Sequence, residues 1–354
     1  MAHYPKYQLV IDNILEKINS KILSAGDKIP NENELSQTLD VSNITVRKAM
    51  SELVKDGVIY RVRGKGSFVS GGPSQSTRES TRLAAFLFAE LGFNDNTYMQ
   101  LMIHIRNYLI EHNYSLIIES TGNTAEQELS AIQRLIDKQV EGFIIFSREP
   151  EKSIPNYQLL TNKNIPFVLV DRRTSLFPSN FAGSNNHDGA FSAVRHLLEL
   201  LHTGIAFVAT HISLSSERER FEGYCSALAS MSLKVNREHC FLDAETDFKR
   251  LNACIRDGSI TAVMTANEQC AVMVLNYLQA EGFRIPEDVS VVSFDDSDAI
   301  RQVVQLTTVN QFFGEIGRTA AQLLIENINN PKYTCTSVGI GTRLVIREST
   351  RKLK

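Results

Sequence analysis

The chain has 354 residues, 43% of them hydrophobic and 22% charged, which fits a soluble globular protein of two or three domains. No stretch approaches the ~18 uninterrupted apolar residues of a membrane span, and the start MAHYPKYQLV lacks the charged segment and apolar core of a secretory signal. The net charge of −3 hides an asymmetry: residues 1–82 hold 12 Lys and Arg against 9 Asp and Glu, the rest 25 against 31, so a polyanion partner is expected for the first part only.

The spacing of Leu9, Val10, Ile11, Ile14, Leu15, Ile18 and Ile22 predicts a first helix over Tyr7–Leu23. Asn31 is a plausible cap for a second helix carrying Glu32–Leu39. A third opens at Ser42, with Ser42 or Asn43 as its cap. Its face Val46, Ala49, Met50, Leu53 follows the i, i+3, i+4, i+7 rule. Its other face shows Asn43, Thr45, Arg47 and Lys48. Val58–Arg63 and Ser67–Val69 read as two strands joined by Gly64-Lys65-Gly66. The whole is a winged helix-turn-helix domain over residues 1–70. Residues 71–81, rich in Gly, Ser and Thr, read as a flexible linker.

AGDKIPNENELSQTLDVSNITVRKAMSELVKDGVIYRVRGKGSFV, with PKYQLV before it, resembles the winged head of the GntR regulators, wing glycines included. The resemblance implies a recognition helix in the major groove. Arg47 is best placed for a bidentate contact to guanine. Asn43 and Thr45 reach bases or phosphates. Lys65, between two glycines, suits the minor groove or a phosphate. Lys6 and Tyr7 resemble backbone-contacting positions of the family. Glu32, Lys48, Arg63 and Gly66 complete the expected DNA-binding set.

From Arg82 onward near-continuous apolar strands alternate with helical stretches. The strands are Leu83–Phe88, Tyr114–Glu119, Gly142–Phe146, Phe167–Val170, Ile205–Val208, Ala262–Thr265 and Val289–Ser293. The helices are Thr97–Glu111, Thr124–Lys138, Gly189–Leu201, Glu217–Ser230, Glu268–Glu281 and Gly314–Asn327. This pattern predicts α/β architecture: parallel sheets covered on both faces, in two lobes over residues 82–354, with a ligand beyond the carboxyl ends of the strands.

RFEGYCSAL, AVMTANEQC, IPEDVSVVSFDDS, LTTVNQ and the closing LVIREST resemble the LacI/GalR effector domain, itself similar to periplasmic sugar-binding proteins. A GntR head on such a body resembles the arabinose repressors of Gram-positive bacteria. The resemblance implies effector contacts from Arg220, in an R-x-x-G motif, and from Asn267 and Asp295. Gln311 is expected near the crossover between lobes, and Tyr98 as a stacking wall at the cleft mouth. Ser147, Arg148 and Glu149 follow one strand and Arg172 another, so all four join the expected site. Glu268 stands where the family commonly has Asp. FAELGFNDNTY is longer and more polar than usual. Arg172-Arg173 leaves room for a carboxylate or phosphate on the ligand.

No GxSxG, HExxH, Walker loop or GxGxxG precedes a helix, so no enzyme, cofactor or metal is expected. Five widely spaced Cys without a CxxC pair suggest reduced thiols in a cytoplasmic protein. The expected function is a sugar-responsive transcription repressor of carbohydrate utilisation, arabinose among the candidate sugars. It would bind double-stranded operator DNA as a homodimer, with no membrane partner. The alternatives are an activator or corepressor-dependent regulator answering to a sugar phosphate or nucleobase, and, remotely, an enzyme with a fused DNA-binding head.

Overall fold

The structure, a computed structural model of the chain, describes all residues except 1–5, 21, 25, 56–57, 63–64, 70–80, 90–95, 243–246, 297–304, 331–333 and 354. It divides into two compact units, 1–81 and 82–354. Arg63, nearly all of the expected linker and most of the longer FAELGFNDNTY stretch lie outside the described residues.

The first unit holds α1 (Lys6–Asn19), α2 (Glu32–Leu39), α3 (Asn43–Lys55), β1 (Ile59–Val62) and β2 (Gly66–Val69). The helix α1 stops at Asn19, one turn short of the expected Leu23; Ile22, counted on its apolar face, is 70% exposed. Each short helix is held at its start by a side chain. Asn31 accepts from the amides of Asn33 and Glu34, and Glu34 returns a carboxylate to the Asn31 amide, a full capping box. Ser42, not Asn43, caps α3 by accepting from the Thr45 amide at 3.2 Å. Val10, Ile14, Leu35, Val46, Ala49, Met50, Leu53, Ile59 and Val69 form one core. β1 and β2 pair antiparallel with Ile59 opposite Val69 and Val62 opposite Gly66. Lys28 adds a bridge to Phe68, which fastens the wing to the segment before α2.

The second unit repeats one topology twice. In the first lobe, β3 (Leu83–Phe88), β4 (Ser115–Ser120), β5 (Gly142–Phe146), β6 (Phe167–Val170) and β7 (Asn180–Ser184) are parallel in the order β4-β3-β5-β6-β7. In the second, β8 (Ile205–Val208), β9 (Cys240–Phe241), β10 (Ala262–Thr265), β11 (Ser290–Phe294) and β12 (Thr307–Asn310) take the same order, β9-β8-β10-β11-β12. Each is a doubly wound 2-1-3-4-5 sheet, whose ligand crevice is expected where the winding reverses, outside β3/β5 and outside β8/β10. β13 (Ser337–Ile340) adds in parallel to β7, and β14 (Arg343–Val345) antiparallel to β12. The strands β5, β6, β8, β10 and β11 are buried along their whole length, which explains their mostly apolar sequences, interrupted only by the buried Thr265, Ser290 and Ser293.

The first lobe is covered by α4 (Asn96–Glu111), α5 (Ala125–Asp137), α6 (Ile154–Asn162) and α11 (Phe313–Asn329). The second is covered by α7 (Asn186–Glu199), α8 (Ser215–Ser230), α9 (Phe248–Arg256) and α10 (Glu268–Ala280). The chain passes between lobes three times: after β7 into α7, after β12 into α11, and between β13 and β14. Sequence periodicity missed β7, β9, β12, β13, β14, α6 and α9, so none of the strands at these three crossings was visible in it.

Candidate functional site

In the first unit the exposed side of α3 carries Asn43, Ile44, Arg47 and Lys48. Asn43 donates to Asn33 Oδ1 at 3.0 Å and so ties α3 to α2. Arg47 Nε lies 3.1 Å from Glu32 Oε2, and Arg61 of the wing 3.5 Å from Glu32 Oε1. One carboxylate therefore aligns a helix arginine and a wing arginine. Arg47 is 66% exposed and Glu32 31%, so the pair is weakly held and readily exchanged for a base or phosphate. Lys48 Nζ sits 4.4 Å above the Tyr7 ring, and Lys6 is exposed one residue earlier. Thr45 bonds the capping Ser42 Oγ at 2.8 Å. Lys65 is exposed at the wing tip beside Gly66, whose φ of 115° is open to glycine at little cost. A basic, exposed helix face beside a basic wing is a nucleic-acid-binding surface.

In the second unit polar side chains gather beyond the carboxyl ends of the strands. Arg220, 3% exposed, donates from Nε to Asn186 Oδ1 at 2.8 Å and from Nη1 to the Ala266 carbonyl at 2.7 Å. Its guanidinium lies 3.9 Å over the Phe294 ring. Gly223 of the same R-x-x-G motif lets α8 approach α7: a Cβ there would fall 2.2 Å from the His187 carbonyl oxygen. Asn267 caps α10 by accepting from the Cys270 amide, and its Nδ2 donates to Glu217 Oε1 at 2.8 Å. Asp295, in the left-handed region at φ 77°, accepts from the Glu268 amide at 3.3 Å and from Gln311 Nε2. Gln311 Oε1 in turn accepts from Ser184 Oγ at 2.5 Å, so this residue ties two interlobe crossings to Asp295.

At the two winding reversals Arg148 and His211 meet across the lobes, Nη2 to Nε2, at 3.2 Å. An arginine only donates, so His211 Nε2 is the acceptor and the imidazole is neutral. Burial first, then the Arg148 charge, holds the His211 pKa below its ordinary value. Burial, then Arg172, lowers that of Arg148. Arg172 lies over the Phe146 ring at 5.2 Å and 3.5 Å from Asp171, with its Nε and Nη1 buried and not hydrogen-bonded.

Tyr98 is 6% exposed, its ring packed between Phe88 at 5.3 Å and Phe146 at 5.2 Å, and it lies near enough to act on the charge of Arg148. Ser147 turns into the first lobe, its Oγ 3.2 Å from Ser153 Oγ in a buried cluster with Glu128 and Asn156. Glu149 faces outward to Lys152 at 2.7 Å. Two residues not picked out by the sequence belong to the site. One is His211. The other is Glu217, 3% exposed, which accepts from the Thr210 amide at 3.1 Å, the His211 amide at 2.7 Å and Asn267. Their signal was position alone: both lie just after β8, at a reversal of winding.

Buried arginines, carboxylates and amides between two doubly wound lobes, in a chain that also carries a basic winged head, define a DNA-binding regulator with a ligand-binding body. Residues 6–69 match the bacterial regulatory proteins of the gntR family, and residues 194–350 the periplasmic binding protein-like domain. The arabinose metabolism transcriptional repressor of Halalkalibacterium halodurans is 30% identical over 99% of this chain and 97% of its own length. That of Geobacillus stearothermophilus is 27% identical over 99% and 98%. A LacI family regulator from Enterococcus faecium, solved with bound ribose, aligns over 77% of this chain and all of its own with a TM-score of 0.65 at 25% identity. The chain belongs to the family of arabinose metabolism transcriptional repressors.

Proposed function

We propose that the head holds an operator through α3 and the wing, and that arabinose entering between the lobes releases it. The observation that carries this is the assembly of Arg148, Arg172, His211, Arg220 and Asp295 at the strand ends. A sugar presents hydroxyls that both donate and accept, and this set supplies both in a largely buried cleft. The repressors of arabinose metabolism matched over nearly the whole chain support the choice of sugar. The operator residues are Lys6, Tyr7, Glu32, Asn43, Thr45, Arg47, Lys48, Lys65 and Gly66. In the body, Asn267, Glu268 and Gln311 position the sugar-facing groups.

The protein acts as a homodimer on a pseudo-palindromic site. The support is an apolar face that the chain leaves uncovered: Met99, Ile103 and Ile110 on α4, each 44–52% exposed, and Ile118 on the edge strand β4 at 45%. It works by binding without turnover, since Glu217, Asp295 and His211 are each engaged in orienting neighbours. Its place is the cytoplasm, where operator DNA lies, and no helix among the described residues is long and apolar enough to cross a membrane. A phosphorylated or carboxylated sugar is the second reading, favoured by Arg172, ion-paired to Asp171 but with buried Nε and Nη1 that make no hydrogen bond, beside Arg148.

Gel shifts with operator-containing DNA test the proposal. Arabinose is expected to release the complex, and neither ribose nor glucose to do so at equal concentration. Release by sugar phosphates alone selects the second reading. Tighter binding with sugar makes the protein corepressor-dependent, and no response to any sugar ends the proposal.

A further inference from the structure

Ile44 is 79% exposed, more than any other large apolar side chain among the described residues. It stands in the first turn of α3, the end of a recognition helix that meets base edges. At about 100° per residue it lies roughly 200° around the helix from the buried Val46, so the head's own core cannot cover it. It shares its side of the helix with Arg47 and Lys48, three and four residues on, both exposed. Asn43 precedes it with its amide spent on Asn33. The most accessible part of the helix is thus a branched aliphatic side chain next to a guanidinium. A solvated basic face has no use for that residue type, whereas the major groove has one apolar feature, the thymine C5 methyl.

We infer that Ile44 is a specificity-determining residue that reads a thymine through its C5 methyl, next to the guanine read by Arg47. This rests on the reading of α3 as the major-groove helix. It predicts an adjoining guanine and thymine in each half-site. Burying one methyl against an aliphatic side chain is worth about 3- to 5-fold in affinity.

The test uses the full-length chain and an operator selected from random duplexes. Each thymine of a half-site is replaced in turn by uracil, which removes only the methyl group, and affinity is measured by fluorescence anisotropy. One position is expected to weaken binding about 3- to 5-fold. There Ile44→Ala is expected to bind thymine and uracil equally, and Ile44→Val to keep part of the difference. The inference is overturned if no thymine shows the effect, or if Ile44→Ala keeps it in full. If Arg47→Ala loses sequence preference while every uracil duplex binds normally, only the thymine assignment falls. If no sequence is selected at all, or Arg47→Ala selects the same operator with unchanged affinity, the major-groove reading falls with it.

Discussion

Arg173 of the first lobe and Glu219 of the second face each other at the lobe boundary, Nη2 to Oε1 at 2.8 Å and Nε to the same oxygen at 3.2 Å. The other carboxylate oxygen of Glu219 accepts from Asn186 Nδ2 at 3.2 Å, and Asn186 accepts from Arg220. The Arg173 amide also crosses the boundary, to Ser215 Oγ at 2.9 Å. A continuous chain of bonds thus runs from the lobe boundary to the buried arginine of the cleft. A cavity of about 610 Å³ opens beside it, between Arg173, Leu176 and Phe177 on one side and Arg218 and Glu222 on the other. Because Arg173 is 43% exposed, the pair is screened and worth about 1 kcal/mol or less. Glu219→Ala is therefore expected to weaken arabinose binding about 3- to 5-fold, with sugar-free operator affinity within about twofold. Calorimetric titration with arabinose, beside an anisotropy titration with operator, checks both. Unchanged sugar affinity means that the chain of bonds does not reach the cleft.

Among the described residues Arg220 donates to two neutral groups, an amide and a carbonyl, and it is stacked on Phe294. Under the proposed function its guanidinium also meets a sugar hydroxyl. Arg220→Lys keeps the charge but loses the planar fork. The expected result is a repressor that stays on its operator at arabinose concentrations that fully release the parent. Coupling between effector and operator is typically about 1–3 kcal/mol, so loss of the contact shifts the release midpoint by roughly tenfold or more. Gel shifts across an arabinose series read this directly. Normal release by Arg220→Lys would remove Arg220 from the effector set.

The Arg148–His211 bond across the lobes is expected to make effector binding sensitive to acid. Three charged groups surround this imidazole: Arg148 and Arg172 oppose its protonation and Glu217 favours it, while burial outweighs each of them in opposing it. The folded pKa is thus depressed below the unfolded value of about 6.5. The neutral form contributes stability above that pH, and the contribution is lost as pH falls toward the folded value. Protonation also turns a donor–acceptor bond into two facing cations. Arabinose affinity is expected to fall several-fold from pH 8 to pH 5, and His211→Gln, which still offers an acceptor, to flatten the profile. An unchanged slope in His211→Gln would place the titrating group elsewhere.

The fully buried strands β5, β6, β8, β10 and β11 were plain in the sequence, because burial on both faces leaves mostly apolar residues. β7, NFAGS, and β12, TTVN, were not: both are rich in polar residues whose side chains are hydrogen-bonded, Ser184 across the lobes to Gln311 and Thr308 within its own lobe to the Ser293 and Asp295 carbonyls. Those strands carry the crossings, so the hinge edge was the least legible part. Arg220 and Asp295 stood out through the motifs around them. Glu217 and His211 did not, since a Glu opening a helix and a lone His look ordinary until the doubly wound order places them at the reversal of winding. Ile44 was passed over because it sits outside the apolar spacing of α3, which is the same property that leaves it exposed.

Glu128 offers a stability test in the buried polar cluster of the first lobe. It is 2% exposed and accepts from Asn156 Nδ2 at 3.0 Å, with Ser147, Ser153 and Tyr157 around it. Burial raises its pKa above the ordinary carboxylate range, more strongly than its hydrogen bonds lower it. The charged form is thus disfavoured in the fold, and stability is lost as pH rises through the unfolded value of about 4.3 toward the folded one. Glu128→Gln keeps the acceptor for Asn156 without the charge. It is expected to raise the melting temperature at pH 7 by about 2 °C or more, an advantage that shrinks toward pH 4. Differential scanning calorimetry at both pH values decides the matter: a lower melting temperature at pH 7 would mean that the carboxylate is held by more favourable bonds than its burial opposes.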